Sequence, residues 1–126
     1  MSRTAPASAM PRILLAEDDD SLRGFLCRAL ERAGYEVTAC ADGDEAAAAL
    51  DEDWDLLLTD IVMPGLDGIE VARRAAARQP DLRIMFITGF AAVALGGDKT
   101  PMGAKVLSKP IHLREIVAEV ERMMAA

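Results

Sequence analysis

Five short apolar runs, separated by polar breaks and amphipathic stretches, set the tightest limit on how this chain can fold. They are Ile13-Leu14-Leu15-Ala16, Glu36-Val37-Thr38-Ala39, Asp55-Leu56-Leu57-Leu58-Thr59, Arg83-Ile84-Met85-Phe86-Ile87 and Lys105-Val106-Leu107. Most are apolar at consecutive positions, as in strands covered on both faces of a parallel sheet. Between the first two, Leu22, Phe25, Leu26, Ala29, Leu30 and Ala33 recur at helical spacing, and Gly34 closes the helix. Asp42 followed by Glu45 resembles a capping box that opens an Ala-rich helix to about Leu50. Pro64-Gly65 breaks the chain before a third helix, Gly68 to Arg78. Leu113, Ile116, Val117, Val120 and Met124 mark a last amphipathic helix. Phe90 to Leu95 has room for one or two turns only, because Gly96-Gly97, Pro101 and Gly103 interrupt it. Strands alternating with helices give the α/β class, a doubly wound parallel sheet with helices on both faces. Right-handed crossovers leave few topologies open.

Composition excludes several function classes. A chain of 126 residues fits one domain, and 52% hydrophobic residues are far too many for a disordered one. No apolar run approaches the roughly 20 residues that cross a membrane. Met1 to Pro11 lacks the apolar segment of a secretory signal and reads as a flexible tail, with the folded domain at 12–126 and a cytoplasmic location. A net charge of −7 argues against nucleic-acid binding, which needs Lys and Arg to neutralise phosphates. Cys27 and Cys40 have no metal-ligand spacing, and both read as buried or half-buried free thiols.

In open parallel sheets, ligands bind beyond the carboxyl ends of the strands. There the sequence places Glu17-Asp18-Asp19-Asp20, then Asp60, then Thr88 and Gly89, then Ser108, Lys109 and Pro110. Each alone has an ordinary explanation: an acidic run favours a helix N-terminus, and a strand-end Asp is often a turn residue. The conjunction is specific. Converging carboxylates of Glu17, Asp18 and Asp60 repel one another unless a cation relieves them, and Mg2+ suits one or two carboxylates, water and phosphate oxygens. Lys109 adds a positive charge and Thr88 a hydroxyl donor. A carboxylate nucleophile, a Mg2+ site, an ammonium and a hydroxyl make a phosphoryl-transfer site, where catalysis is mainly positioning and charge neutralisation. Asp19 and Asp20 read instead as caps of the first helix.

These segments, with Leu58-Thr59-Asp60-Ile61-Val62-Met63-Pro64-Gly65-Leu66-Asp67-Gly68, Phe86-Ile87-Thr88-Gly89 and Ser108-Lys109-Pro110, resemble the receiver domains of bacterial response regulators from about Arg12 to Met124. The resemblance implies a flavodoxin-like sheet of order 2-1-3-4-5. It implies that Asp60 accepts phosphoryl from a histidine kinase or histidine phosphotransfer protein. Glu17, Asp18, Asp60 and the backbone carbonyl of Val62 would hold Mg2+. Thr88 would bond the phosphoryl group, Lys109 would pair with its oxygens, and the Lys109–Pro110 bond would be cis. The protein would be a switch, not an enzyme acting on other substrates. Two features depart from the common pattern. Val106 stands where many receivers carry Tyr or Phe, and residues 90–103 are irregular where the family has a full fourth helix. Val62 and Phe90, beside the expected site, would limit water there and tune dephosphorylation.

Within that family the chain resembles the CpdR-type single-domain regulators of alphaproteobacteria, through Ile13 to Ser21, Leu57 to Pro64, Met85 to Ala92 and Ala104 to Pro110. Val106 fits that type. The closer resemblance implies a place in the cell-cycle phosphorelay, with the unphosphorylated form priming the ClpXP protease for selected substrates and phosphorylation switching this off. The final Ala125-Ala126 resembles the small apolar C-termini that ClpX recognises, although a frayed helix end explains it as well. No DNA-binding segment follows the last helix, so output is expected through the domain's own surface. Two other readings stay open. One is a different single-domain role, as phosphate shuttle or as kinase or motor regulator. The other is an aspartyl-phosphate phosphatase, which needs a second acid two residues after Asp60 where this chain has Val62.

Overall fold

Each apolar run forms a strand, and all five strands run parallel. The computed structural model describes residues 10–89, 103–110 and 112–125. The chain order is β1 (Arg12–Ala16), α1 (Asp20–Arg32), β2 (Glu36–Cys40), α2 (Gly43–Ala48) with a 3-10 turn at Ala49–Asp51, β3 (Leu56–Asp60), α3 (Gly68–Arg78), β4 (Arg83–Thr88), β5 (Lys105–Ser108) and α4 (Leu113–Ala125). The sheet order is β2-β1-β3-β4-β5, the expected flavodoxin-like arrangement. Residues 1–9 of the expected tail, residues 90–102, where a short or irregular fourth helix is expected and Phe90 stands, Ile111 and Ala126 lie outside the described residues.

Alternate strand positions feed two separate cores. Leu14, Ala16, Leu57, Ile84 and Phe86 pack with Ala46 of α2 and Val71, Ala72 and Ala75 of α3. Ile13, Leu15, Leu56, Leu58, Met85 and Ile87 pack on the other face with Leu26 and Leu30 of α1 and Ile116 and Val120 of α4. Every residue of β3 is buried, which explains its unbroken apolar character. Burying one such side chain contributes about 1.5–3 kcal/mol. The edge strands β2 and β5 are partly exposed and correspondingly mixed in sequence.

Among the described residues four helices begin at the carboxyl rim of the sheet, and an Asp caps the first three of them. Asp19, Asp42 and Asp67 accept from the backbone N–H of Leu22, Glu45 and Glu70, a bond worth about 1 kcal/mol in each case. The capping box at Asp42 is modified. Glu45 reaches back past the cap to accept from Ala41 N–H at 2.7 Å. Asp20 is the first residue of α1 rather than its cap, and it pairs with Arg23. Both cysteines are free thiols, Cys27 half-buried and Cys40 buried.

At the opposite rim, Arg12 stacks over Trp54 at 4.3 Å and binds Glu52 and the Asp53 carbonyl. Arg78 of α3 and Gln79, its C-cap, bind the same loop. That end of the molecule is clamped. Among the described residues, no helix is long and apolar enough to cross a membrane.

Candidate functional site

Register decides which side chains meet. Ala16 lies beside Thr59, so Glu17 and Asp18 follow directly next to Asp60 at the end of β3. Thr88 ends β4 opposite Ser108, and Lys109 comes next. The chain leaves β1 outward to β2 and returns across it to β3, so the sheet order reverses between β1 and β3. Ligand crevices form at such a reversal.

One carboxylate oxygen from each of Glu17, Asp18 and Asp60 lies within 4.8 Å of the others. Glu17 and Asp60 are buried and Asp18 is exposed. Lys109 closes the group from the other side. Its ammonium donates to Asp60 Oδ2 at 2.7 Å and stands 3.1 Å from Glu17 Oε1. The second contact has ion-pair distance but lacks hydrogen-bond geometry, so buried Glu17 Oε1 has no hydrogen-bond partner. Glu17 Oε2 accepts from Asp19 N–H at 2.9 Å, and Asp60 Oδ1 accepts from Val62 N–H at 3.3 Å.

The charges respond to this crowding. Burial pushes the Glu17 carboxyl above its ordinary value, and the nearby Asp60 charge adds to the rise, while the Asp19 N–H and Lys109 oppose it. Burial by itself would lower the Lys109 ammonium, but its bond to Asp60, the Asp60 charge and Glu17 outweigh that and raise it. A buried carboxylate oxygen without a hydrogen bond, next to two more carboxylates, is a donor set suited to a hard divalent cation such as Mg2+.

The remaining sequence candidates divide. Thr88 is fully buried, and its carbonyl accepts from Lys109 N–H at 2.9 Å. That bond ties the end of β4 to the start of the lysine corner. The Lys109–Pro110 bond is cis. Val62 is exposed on the loop after Asp60. Val106 is half-buried against the α2–α3 core and makes no part of the carboxylate group. Ala125 is exposed in the last turn of α4, far along the chain from the rim. Glycines shape the loop after Asp60. A Cβ on Gly68 would lie 1.9 Å from Asp60 O, and one on Gly43 would lie 1.7 Å from Leu66 O. Gly43 N–H also donates to Pro64 O.

Sequence reasoning passed over Arg23. Its guanidinium donates to the Glu17 carbonyl at 2.9 Å and to Asp20 at 2.6 Å. A cation near a helix N-terminus opposes the helix dipole, and that anomaly was the available signal.

Residues 13–121 match the family described as the response regulator receiver domain. The chain belongs to the response regulator receiver family. It is 61% identical over 119 residues to the response regulator receiver protein CpdR of Brucella abortus (strain 2308), spanning 93% of this chain and 99% of that protein. Sensor kinase CckA of the same strain is 32% identical over 129 residues, covering 98% of this chain but 14% of the kinase. Among solved structures, a response regulator receiver protein from Sinorhizobium medicae WSM419 superposes with a TM-score of 0.84 at 31% identity, covering 93% of this chain and 96% of that one. The receiver family accounts for the acidic group at the rim, and the identity to CpdR extends across nearly the whole of that regulator.

Proposed function

We propose that this receiver is a stand-alone response regulator, folded over 12–126, in which Asp60 takes a phosphoryl group from the phosphohistidine of a histidine kinase or histidine phosphotransfer protein. The observation that carries this reading is the Asp60 carboxylate, bonded to Lys109 at 2.7 Å and within 4.8 Å of Glu17 and Asp18. In the transfer an Asp60 oxygen attacks phosphorus, a P–O bond forms, the P–N bond to the donor imidazole breaks, and the imidazole keeps the electron pair. Glu17, Asp18, Asp60 and the Val62 carbonyl would hold Mg2+, which when bound would supply positive charge to the transferred group. Lys109, already between Asp60 and Glu17, passes to the phosphoryl oxygens. The Thr88 hydroxyl donates to them from the end of β4.

The switch follows from the charge. Phosphorylation adds about −1.5 to −2 charges and strong acceptors. These draw Thr88 and Lys109 inward and shift the balance between two arrangements of the rim. Val106, smaller than the aromatic residue common in receivers, changes how that shift reaches the surface. The 61% identity to CpdR supports the output. The unphosphorylated form acts in the cytoplasm as an adaptor that primes ClpXP for selected substrates, and phosphorylation turns it off.

Binding to the N-terminal domain of ClpX tests this, measured with and without Mg2+ and beryllofluoride as a phosphoryl mimic. The reading predicts binding that weakens about 5–150-fold with the mimic, the range of ordinary coupling energies. Absence of binding in both states would remove the adaptor role and leave a relay or regulator role.

A further inference from the structure

Asp18 is the least supported of the three clustered acids. It is exposed, and among the described residues no side chain bonds to its carboxylate. Its direction is therefore set by the backbone that carries it, above all by the peptide unit joining Glu17 to Asp18. Three contacts fix that corner. Glu17 N–H donates to the Cys40 carbonyl at 3.0 Å, which pins the corner to β2. Glu17 Oε2 accepts from Asp19 N–H. Arg23 donates to the Glu17 carbonyl at 2.9 Å, and it is this carbonyl that belongs to the Glu17–Asp18 peptide.

The Arg23 side chain is mostly buried, at 22% exposure, while its partner Asp20 is 88% exposed. An exposed ion pair contributes little, so the salt bridge does not explain why a cation sits at the start of α1, where the dipole disfavours it. The bond to the Glu17 carbonyl does. One guanidinium nitrogen holds the carbonyl and another holds Asp20, so the planar fork spans the corner from strand end to helix start. An ammonium has no such fork.

We propose that Arg23 is a positioning residue for the metal site, locking the Glu17–Asp18 peptide so that the Asp18 carboxylate stays beside those of Glu17 and Asp60. The proposal rests on the Mg2+ role given above to these acids. It makes a claim that charge alone does not. If Arg23 acted only as a nearby positive charge, removing it would tighten binding of a dication. If it acts as a fork, losing it loosens Asp18 and weakens binding, and lysine does not substitute. Groups that orient metal ligands are typically worth about 10–100-fold in affinity.

The test is Mg2+ affinity by isothermal titration calorimetry on the full chain, with thermal melting alongside. Arg23→Ala and Arg23→Lys should each weaken Mg2+ binding about tenfold, and neither should do so in an Asp18→Asn background, where the positioned group is gone. Unchanged or tighter binding in Arg23→Lys would overturn the proposal, as would a lowered melting temperature with unchanged affinity, which marks a structural role only. A wild-type protein that binds no Mg2+ would overturn the metal reading itself, and this proposal with it.

Discussion

Gly68→Ala and Gly24→Ala are the same substitution, in α3 and α1, and should have opposite effects. In a helix, alanine gains up to about 1 kcal/mol over glycine from propensity and a less flexible unfolded chain. At Gly24 that gain is realised. The nearest atoms to the new Cβ belong to the Arg28 guanidinium, from 3.3 Å, and a flexible side-chain end can step aside. At Gly68 the Cβ falls 1.9 Å from Asp60 O, and the other neighbours are backbone too, Asp60 C and Ile61 Cα. To restore ordinary contact, α3 and the end of β3 must part by about 1.5 Å, the gap between 1.9 Å and the 3.4 Å where such contact begins. That movement breaks the 2.8 Å bond from Gly68 N–H to Ile61 O. Forced overpacking costs about 1–3 kcal/mol, and the lost bond about 1 more. The collision therefore wins, with a net loss of about 1–3 kcal/mol and a fall in Tm of about 3–12 °C. Gly24→Ala should raise Tm by about 2–4 °C. Because the displaced atoms carry Asp60, Gly68→Ala should also weaken Mg2+ binding, whereas Gly24→Ala should not. Thermal melts and Mg2+ titration of both variants check this. A Gly68→Ala protein that melts at or above wild type, with unchanged Mg2+ affinity, would refute the reasoning.

Further expectations concern the rim and the thiols. Asp60→Ala should abolish phosphorylation yet change stability by less than about 1 kcal/mol, since Lys109 keeps Glu17 as partner and the Glu17–Asp60 repulsion is relieved; phosphotransfer assays and melting curves check both parts. Lys109→Ala leaves Glu17 and Asp60 without their cation. Removing one member of a buried pair costs about 3–5 kcal/mol, and since Lys109 is 29% exposed the expected loss is nearer 1–3 kcal/mol. Mg2+ should restore more stability to this variant than to wild type, as read by melting with and without the ion. Cys40 is held up to about 11 by burial first and then by the Glu45 and Asp42 charges. The folded state therefore keeps its proton where the unfolded state has lost it, and stability should fall as pH rises from about 9 to 11, by about 2–3 kcal/mol. Denaturation across that window should show a shallower fall in Cys40→Ala, and alkylation of the native protein at mildly alkaline pH should spare Cys40.

Much of the fold was legible because buried parallel strands advertise themselves. Leu56 to Leu58 and Ile84 to Ile87 are apolar without interruption, since both faces meet helices. The boundaries were less clear. The sequence suggested a third strand from Asp55 to Thr59, but β3 runs from Leu56 to Asp60. Asp55 spends its carboxylate on the Arg12 N–H, and Asp60 pairs with Ile87. Neither partner is visible locally. The same holds for the clamp of Arg12 on Trp54, 42 residues apart in number, and for Gly43 against Leu66. At the site, Glu17, Asp18, Asp60 and Lys109 could be nominated because each stands at a strand end, and parallel register brings strand ends together. Arg23 offered only an indirect signal, a cation in the first turn of a helix, because its partner is the Glu17 backbone carbonyl, which leaves no mark in a side-chain pattern.

The central claim is that Asp60 takes the phosphoryl group, and trapping it there is the most direct measurement. The protein would be treated with a small-molecule acyl phosphate donor and Mg2+, then reduced with borohydride, which converts an aspartyl phosphate to homoserine, and sequenced by mass spectrometry. The account predicts homoserine at position 60, dependent on Mg2+ and lost in Glu17→Gln. Homoserine at another aspartate, or none after treatment that labels a known receiver in parallel, would contradict it.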